Sequence, residues 1–206
     1  MDKMRILYFL EDRAQEGFIK ALVERIAKEE SIPTGSLIHD VRSARGGSRI
    51  IKEFKNFLRD YSKAETIDID FLVVAIDGNC KGYNKRINQL EGYIKPDHPF
   101  KNRVVYAVPD PHIERWYIMD QKALRDGVGI AKAPDLPPYK CKKGYYKQVL
   151  NQTLKDSNVN STLSGAEYAE RIVDNIEDME SLGRQNAGFQ TFVQDLRRMF
   201  KAEVRW

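Results

Sequence analysis

The stretch "FLVVAIDGNCKGYNKR", residues 71–86, decides how this chain folds. Apolar residues run without interruption from Phe71 to Ile76 and stop at Asp77, and Gly78, Asn79 and Gly82 follow at once. A short continuous apolar run bounded by turn residues reads as a strand buried on both faces, which is the habit of parallel sheets. With its lead-in, the strand is "IDIDFLVVAID", residues 67–77. The next segment, "NKRINQLEGYIK", residues 84–95, reads as a helix. A turn can be built without an acid, so the delivery of Asp77 to the end of a buried strand asks for a chemical reason.

Similar units lie on either side. "MRILYFLED", residues 4–12, is a buried strand ending at Glu11 and Asp12, and "AQEGFIKALVERIAKEE" then sets Phe18, Leu22, Val23 and Ile26 on one helical face. A short strand is expected over Leu37 to Val41. A glycine turn comes next, with Ser48 as N-cap of an amphipathic helix through Ile50, Ile51, Phe54, Phe57 and Leu58, in a segment reaching Glu65. "RVVYAVPD", residues 103–110, is another buried strand. "PHIERWYIMDQKALRD", residues 111–126, is expected as one helix opening on Pro111.

Strand and helix thus alternate, four of each, over residues 1–126, which predicts an α/β domain with a mostly parallel four-stranded sheet flanked by helices. Residues 127–206 differ in character. A Gly/Pro-rich loop, "GVGIAKAPDLPP", precedes a basic, tyrosine-rich short helix in "YKCKKGYYKQVLNQ". Helices are then expected over Ala166–Met179 and from Phe189 to about Lys201. This C-terminal part reads as a helical cap packed on the sheet.

Composition limits the function classes. With 34 Lys and Arg against 30 Asp and Glu, the net charge of +4 is too small for a binder that works by overall charge, though a local basic patch remains open. Cys80 and Cys141 are too few for a disulfide scaffold and form no CxxC zinc pair, so they are expected as ordinary reduced thiols. No apolar run approaches the roughly 18 residues of a membrane span. The first apolar run is followed by acids rather than a cleavage site, so a cytoplasmic protein without membrane contact is expected.

Ligands of parallel α/β sheets bind beyond the carboxyl ends of the strands. Three strands end in acids there: Glu11 with Asp12, then Asp77, then Asp110. Clustered carboxylates are costly unless a cation neutralises them, and oxygen donors select Mg²⁺ or Mn²⁺. The plainer reading is that each acid caps the helix that follows it. Glu114 sits a few residues beyond Asp110, where it is either a site residue or a first-turn surface acid. Trp116 is expected in the core, with Tyr117 on the face of Asp110 and Glu114. Lys81 and Lys85 follow Asp77 where a phosphate could sit. Lys140, Lys142, Lys143 and Lys147 interleave with Tyr145 and Tyr146, a pattern that suits phosphate contact with base stacking or, more plainly, a solvated helix face. His39 and His112 read as structural. No Ser-His-Asp set, Walker A loop or dinucleotide fingerprint is present.

"FLEDRAQEGFIKALVERI" resembles the opening motif of TOPRIM domains, in which a strand ends in a glutamate, and "FLVVAIDGNCKG" resembles their second motif, which ends in Asp-x-Asp. "VPDPHIERWYIMD", "YYKQVL" and "SGAEYAERIVDNIEDM" are similar to segments of the OLD-family and related defence-associated nucleases. The resemblance implies a Mg²⁺-dependent nuclease, an endonuclease rather than an exonuclease, acting in anti-phage defence beside an ATPase partner. A homo-oligomer is compatible with it. It implies Glu11, Glu16, Asp77, Asn79, Asp110 and Glu114 as metal residues and Glu11 and Asp77 as catalytic, with Lys143 or Lys147 as the catalytic cation. Lys81, Lys85, Lys142 and Tyr145 would contact the nucleic acid. Two departures bear on this. Asp12 and Gln15 stand where the motif has a glycine and an acid, with Glu16 adjacent, and Asn79 replaces the second aspartate, which removes one charge from the site. The alternative is a catalytically silent module that binds nucleic acid or a partner through the same edge.

Overall fold

The structure is a computed structural model that describes residues 3–44, 47–63 and 68–203. The expected start of the central strand at Ile67, part of the glycine turn before the second helix, and that helix's end beyond Lys63 lie outside the described residues. Four strands, β1 (Met4–Leu10), β2 (Leu37–Ser43), β3 (Phe71–Ala75) and β4 (Val104–Ala107), form one sheet in the order β2-β1-β3-β4. All three pairings are parallel. The fold is therefore α/β with a four-stranded parallel sheet flanked by helices, as the sequence predicts.

Side-chain alternation along the strands explains the two cores. Tyr8, Leu10, Phe71, Val73, Ala75, Val105 and Ala107 face one layer, which holds α1 (Arg13–Glu29). Leu7, Phe9, Leu72, Val74, Ile76, Tyr106 and Val108 face the other, which holds α2 (Ile50–Tyr61) and α3 (Tyr83–Glu91). Both faces are covered along β3 and along β1 from Ile6 onward, so β3 is apolar throughout and β1 is apolar from Ile6 to Leu10.

Several boundaries differ from the sequence reading. The cap position of α2 is Arg49, one residue after Ser48, and no side chain caps it. The helix expected over residues 111–126 is two helices, α4 (Glu114–Tyr117) and α5 (Gln121–Val128). Asp120 divides them by accepting a hydrogen bond from the backbone N–H of Ala123 at 2.9 Å, so it starts a helix where a continuous one was expected. Pro111 lies ahead of α4 rather than in its first turn, and the Asp110–Pro111 peptide is cis. The basic segment becomes helical only at α6 (Tyr145–Asp156), after Gly144 at φ +71°.

The helix expected over Ala166–Met179 is shorter, α7 (Ala169–Asp174), and a further helix, α8 (Met179–Gln185), lies almost wholly beyond the expected range. Asn175 bonds back to the carbonyl of Arg171 at 2.8 Å. Asp178 caps α8 through the N–H of Ser181 at 2.8 Å. Helix α9 (Ala187–Glu203) closes the chain, with Phe189, Phe192, Leu196 and Phe200 buried in the same core as the sheet face carrying Phe71. The rings of Phe71 and Phe200 meet edge-on at 5.8 Å.

Candidate functional site

The parallel register brings the carboxyl ends of β1, β3 and β4 to one edge, and the acids expected there do meet. Glu11 Oε2 accepts a hydrogen bond from the backbone N–H of Asp77 at 3.0 Å. Gln15, fully buried in the first turn of α1, ties the two strand ends together: its Oε1 accepts from the N–H of Glu11 at 2.9 Å, and its Nε2 donates to Asp77 Oδ1 at 2.8 Å. Asp77 Oδ1 also accepts from the N–H of Ile113 at 3.1 Å, and Oδ2 lies 3.0 Å from His112 Nδ1. Asp12 caps α1 through the N–H of Gln15, the plainer use for a strand-end acid.

Burial sets the electrostatics. It pushes the Asp77 carboxyl up to about 7, with the bond from His112 pulling the other way and the charge of Glu11 adding to the rise. Burial likewise raises Glu11 and Glu114, and Asp12 repels both. Chiefly through its bond to Asp77, the His112 imidazole is raised. Arg86, almost fully buried, donates to the carbonyls of Asp77 at 3.1 Å and Gly78 at 3.4 Å, and its charge faces Glu11, Asp77 and Asp110. His112 and Arg86 thus oppose part of the negative charge from within the chain.

Asp110 joins this edge from β4. A Cβ on Gly78 would lie 2.3 Å from Asp110 Oδ1, so the close approach of the two strand ends requires glycine there. Asp110 Oδ1 accepts from the N–H of Cys80 at 3.0 Å, and Oδ2 accepts from the Tyr139 hydroxyl at 2.7 Å. Cys80 forms a disulfide with Cys141, with Cα atoms 5.5 Å apart, which corrects the expectation of reduced thiols. The long-range approach of the Gly/Pro-rich segment to the β3–α3 turn, invisible in the spacing, makes the pairing possible. The lysine- and tyrosine-rich segment is thereby fastened to the acidic edge.

The remaining expected residues are distributed around this centre. Asn79, at φ +48°, turns its amide back to the carbonyl of Asp77 at 3.3 Å, a donation that an aspartate cannot make. Glu114, in α4, is in electrostatic contact with Asp12, His112 and Lys147. Glu16 lies apart, lining a cavity between α1 and Ala166–Glu170 with Arg13 and Lys20. Lys81, Lys85, Lys142, Lys143 and Lys147 are exposed, and Tyr145 is half-buried beneath the ammonium of Lys140, 4.8 Å from its ring centroid. Trp116 is in the core, and Tyr117 donates to the carbonyl of Ala14 at 2.9 Å. His39 pairs with Tyr8 in the sheet, a structural use. Gln15, Arg86, His112 and Tyr139 are constituents that sequence reasoning left out as site residues.

The donor set does not fit a divalent cation as it is arranged. Both oxygens of Asp77 and both of Asp110 already accept hydrogen bonds, and Asn79 faces its own backbone. Among the described residues no three of His, Cys, Asp and Glu form a group able to hold a metal ion. A cation at Asp77 or Asp110 would have to share oxygens that are already engaged by Gln15, Ile113 and His112 or by Cys80 and Tyr139.

No family model, no curated protein and no solved structure matches this chain. Among the described residues no helix is long and apolar enough to cross a membrane.

Proposed function

We propose that this chain is a nucleic-acid phosphodiesterase of TOPRIM-like type, with Glu11 and Asp77 as its central acids. The observation that supports it best is the junction of two features far apart in sequence. The buried acids Glu11 and Asp77 and the half-buried Asp110 end at one sheet edge, and the segment carrying Lys140, Lys142, Lys143 and Lys147 is bound to that edge by Tyr139 and the Cys80–Cys141 disulfide. Cations beside a proton-exchanging carboxylate are what attack on a phosphodiester requires. In this reading Asp77 and His112 hold a proton near neutral pH and position it beside the substrate. Lys143 and Lys147 face the phosphate, and Lys81, Lys85, Lys142 and Tyr145 track the strand. Mg²⁺ or Mn²⁺, an ATPase partner and a role in anti-phage defence rest on the resemblance alone, and no step is assigned to a metal.

A specific observation favours the second reading, a catalytically silent binding module: three hydrogen-bond partners from within the chain already converge on the Asp77 carboxyl, and Asn79 is turned inward. One experiment separates the two. Plasmid DNA and total tRNA are incubated with wild type and Asp77→Asn, with Mg²⁺, Mn²⁺ or EDTA, and binding is followed in parallel by fluorescence anisotropy. Cutting that the variant loses while it still binds supports the phosphodiesterase. Binding without cutting supports a silent nucleic-acid-binding module, and absence of both leaves of the second reading only a module that binds a partner protein. Repeating the assay with an ATPase encoded alongside tests the partner.

A further inference from the structure

Tyr139 is one of two large hydrophobic side chains exposed among the described residues, at 50% of its surface. An exposed aromatic gains little from burial, so its fixed position has to come from elsewhere, and four anchors supply it. Its hydroxyl donates to Asp110 Oδ2 at 2.7 Å. The guanidinium of Arg115 lies 5.5 Å from its ring centroid and 5.9 Å from that of Tyr146. The N–H of the next residue, Lys140, donates to the Tyr146 hydroxyl at 3.0 Å. One residue further on, Cys141 is bonded to Cys80. Arg115 Nε is buried without a hydrogen-bond partner, so this cation is spent on the two rings rather than on a carboxylate. Exposed lysines 140, 142 and 143 stand immediately beside the ring in the chain.

From this we infer that Tyr139 is a stacking platform for an unpaired nucleobase, which makes single-stranded nucleic acid the substrate class of the edge. The inference rests on the proposed function and narrows it. A rigid, half-exposed ring backed by a cation and flanked by lysines offers a π-face to a base and charge to the neighbouring phosphates. Bases within a duplex are already stacked and cannot use it without flipping out.

Anisotropy titrations of a short fluorescein-labelled oligonucleotide, single-stranded and as its blunt duplex, test this at one fixed salt concentration. Tyr139→Leu keeps an apolar side chain without a π-face, and Tyr139→Phe keeps the π-face without the bond to Asp110. Stacking on an aromatic side chain stabilises a bound base by about 1–3 kcal/mol, so the leucine variant is expected to bind the single strand roughly 5- to 150-fold more weakly. Its duplex affinity should be unchanged, and the phenylalanine variant should stay close to wild type on the single strand. Wild-type affinity for the single strand in the leucine variant would overturn the inference, as would a parallel loss on both substrates. If wild type binds neither oligonucleotide, the proposed function itself falls, a result distinct from a wild type that binds and a leucine variant that does not differ.

Discussion

Gln15 stands between Glu11 and Asp77, and the structure gives a physical reason for an amide there. Only a side chain that is both donor and acceptor can take the N–H of Glu11 and also donate to Asp77 Oδ1. Gln15→Glu would bring a third carboxylate against Glu11 and Asp77 and remove that donation. The expected result is a loss of about 1–3 kcal/mol in urea unfolding at neutral pH, recovered in part under mildly acid conditions where the new acid is protonated and can donate again. Equal stability of variant and wild type at all pH values would show that Gln15 carries no such load. Asp77 itself makes a second prediction. Its carboxyl rises in the fold from an ordinary value of 3.8 to about 7, so between these the native state binds more protons than the unfolded one. Stability therefore falls as pH rises through that window. Glu11, Glu114 and His112 are also raised and add the same sign, His112 above its ordinary value of 6.5. Urea midpoints measured from about pH 4 to pH 8 should decline, and Asp77→Asn should flatten the decline. Asp77, Glu11 and Asp110 were legible in the sequence because an acid directly after a buried run must sit at the strand end. Gln15 and His112 were not, because each acquires its role from Asp77, at sequence separations of 62 and 35 residues.

At the scale of elements, the four strands were readable because each is a short apolar run with sharp limits, and burial on both faces leaves few other placements. The helices around residues 111–128 and 166–185 were less so. Nothing in the local sequence separates a helical aspartate from a capping one at Asp120 or Asp178, and whether an aspartate rides on a helix or starts one depends on its side chain reaching a backbone N–H ahead. The division of these helices has a packing consequence. Gly127 in α5 lies so close to α7 that a Cβ there would stand 2.7 Å from both Cα and N of Ile172. The obstructing atoms are backbone and cannot swing away, so Gly127→Ala must push the two helices apart. The expected cost is about 1–3 kcal/mol in denaturant unfolding, although alanine is the better helix former. A stabilised Gly127→Ala would mean that helix propensity outweighs this contact and that the α5–α7 approach is looser than described.

For the molecule as a whole, the Cys80–Cys141 disulfide decides how the C-terminal half relates to the acidic edge. The two cysteines are 61 residues apart, and nothing in their spacing announced a bond. Only the folded path, which returns residues 139–144 to the turn after β3, brings them together. Tyr139 bonds Asp110 at this same junction, so the disulfide restrains a segment whose other ties are few and partly exposed. Two effects follow from opening it. Closing a loop of this length removes unfolded-chain entropy worth up to about 4 kcal/mol, and bridges between native positions commonly deliver about 2–4. Wild type in dithiothreitol and the Cys141→Ser variant should therefore unfold at lower urea concentration than the oxidised protein, by matching amounts. The second effect is local. Amide hydrogens of Lys140 and Cys80, bonded to Tyr146 and Asp110, should exchange faster in the Ser variant, whereas those of β1 and β3 should change only by the global loss. Faster exchange everywhere to the same degree would make the disulfide a general staple. Confinement of the excess to residues 78–82 and 139–146 would make it the clasp between the acidic edge and its basic, tyrosine-rich neighbour.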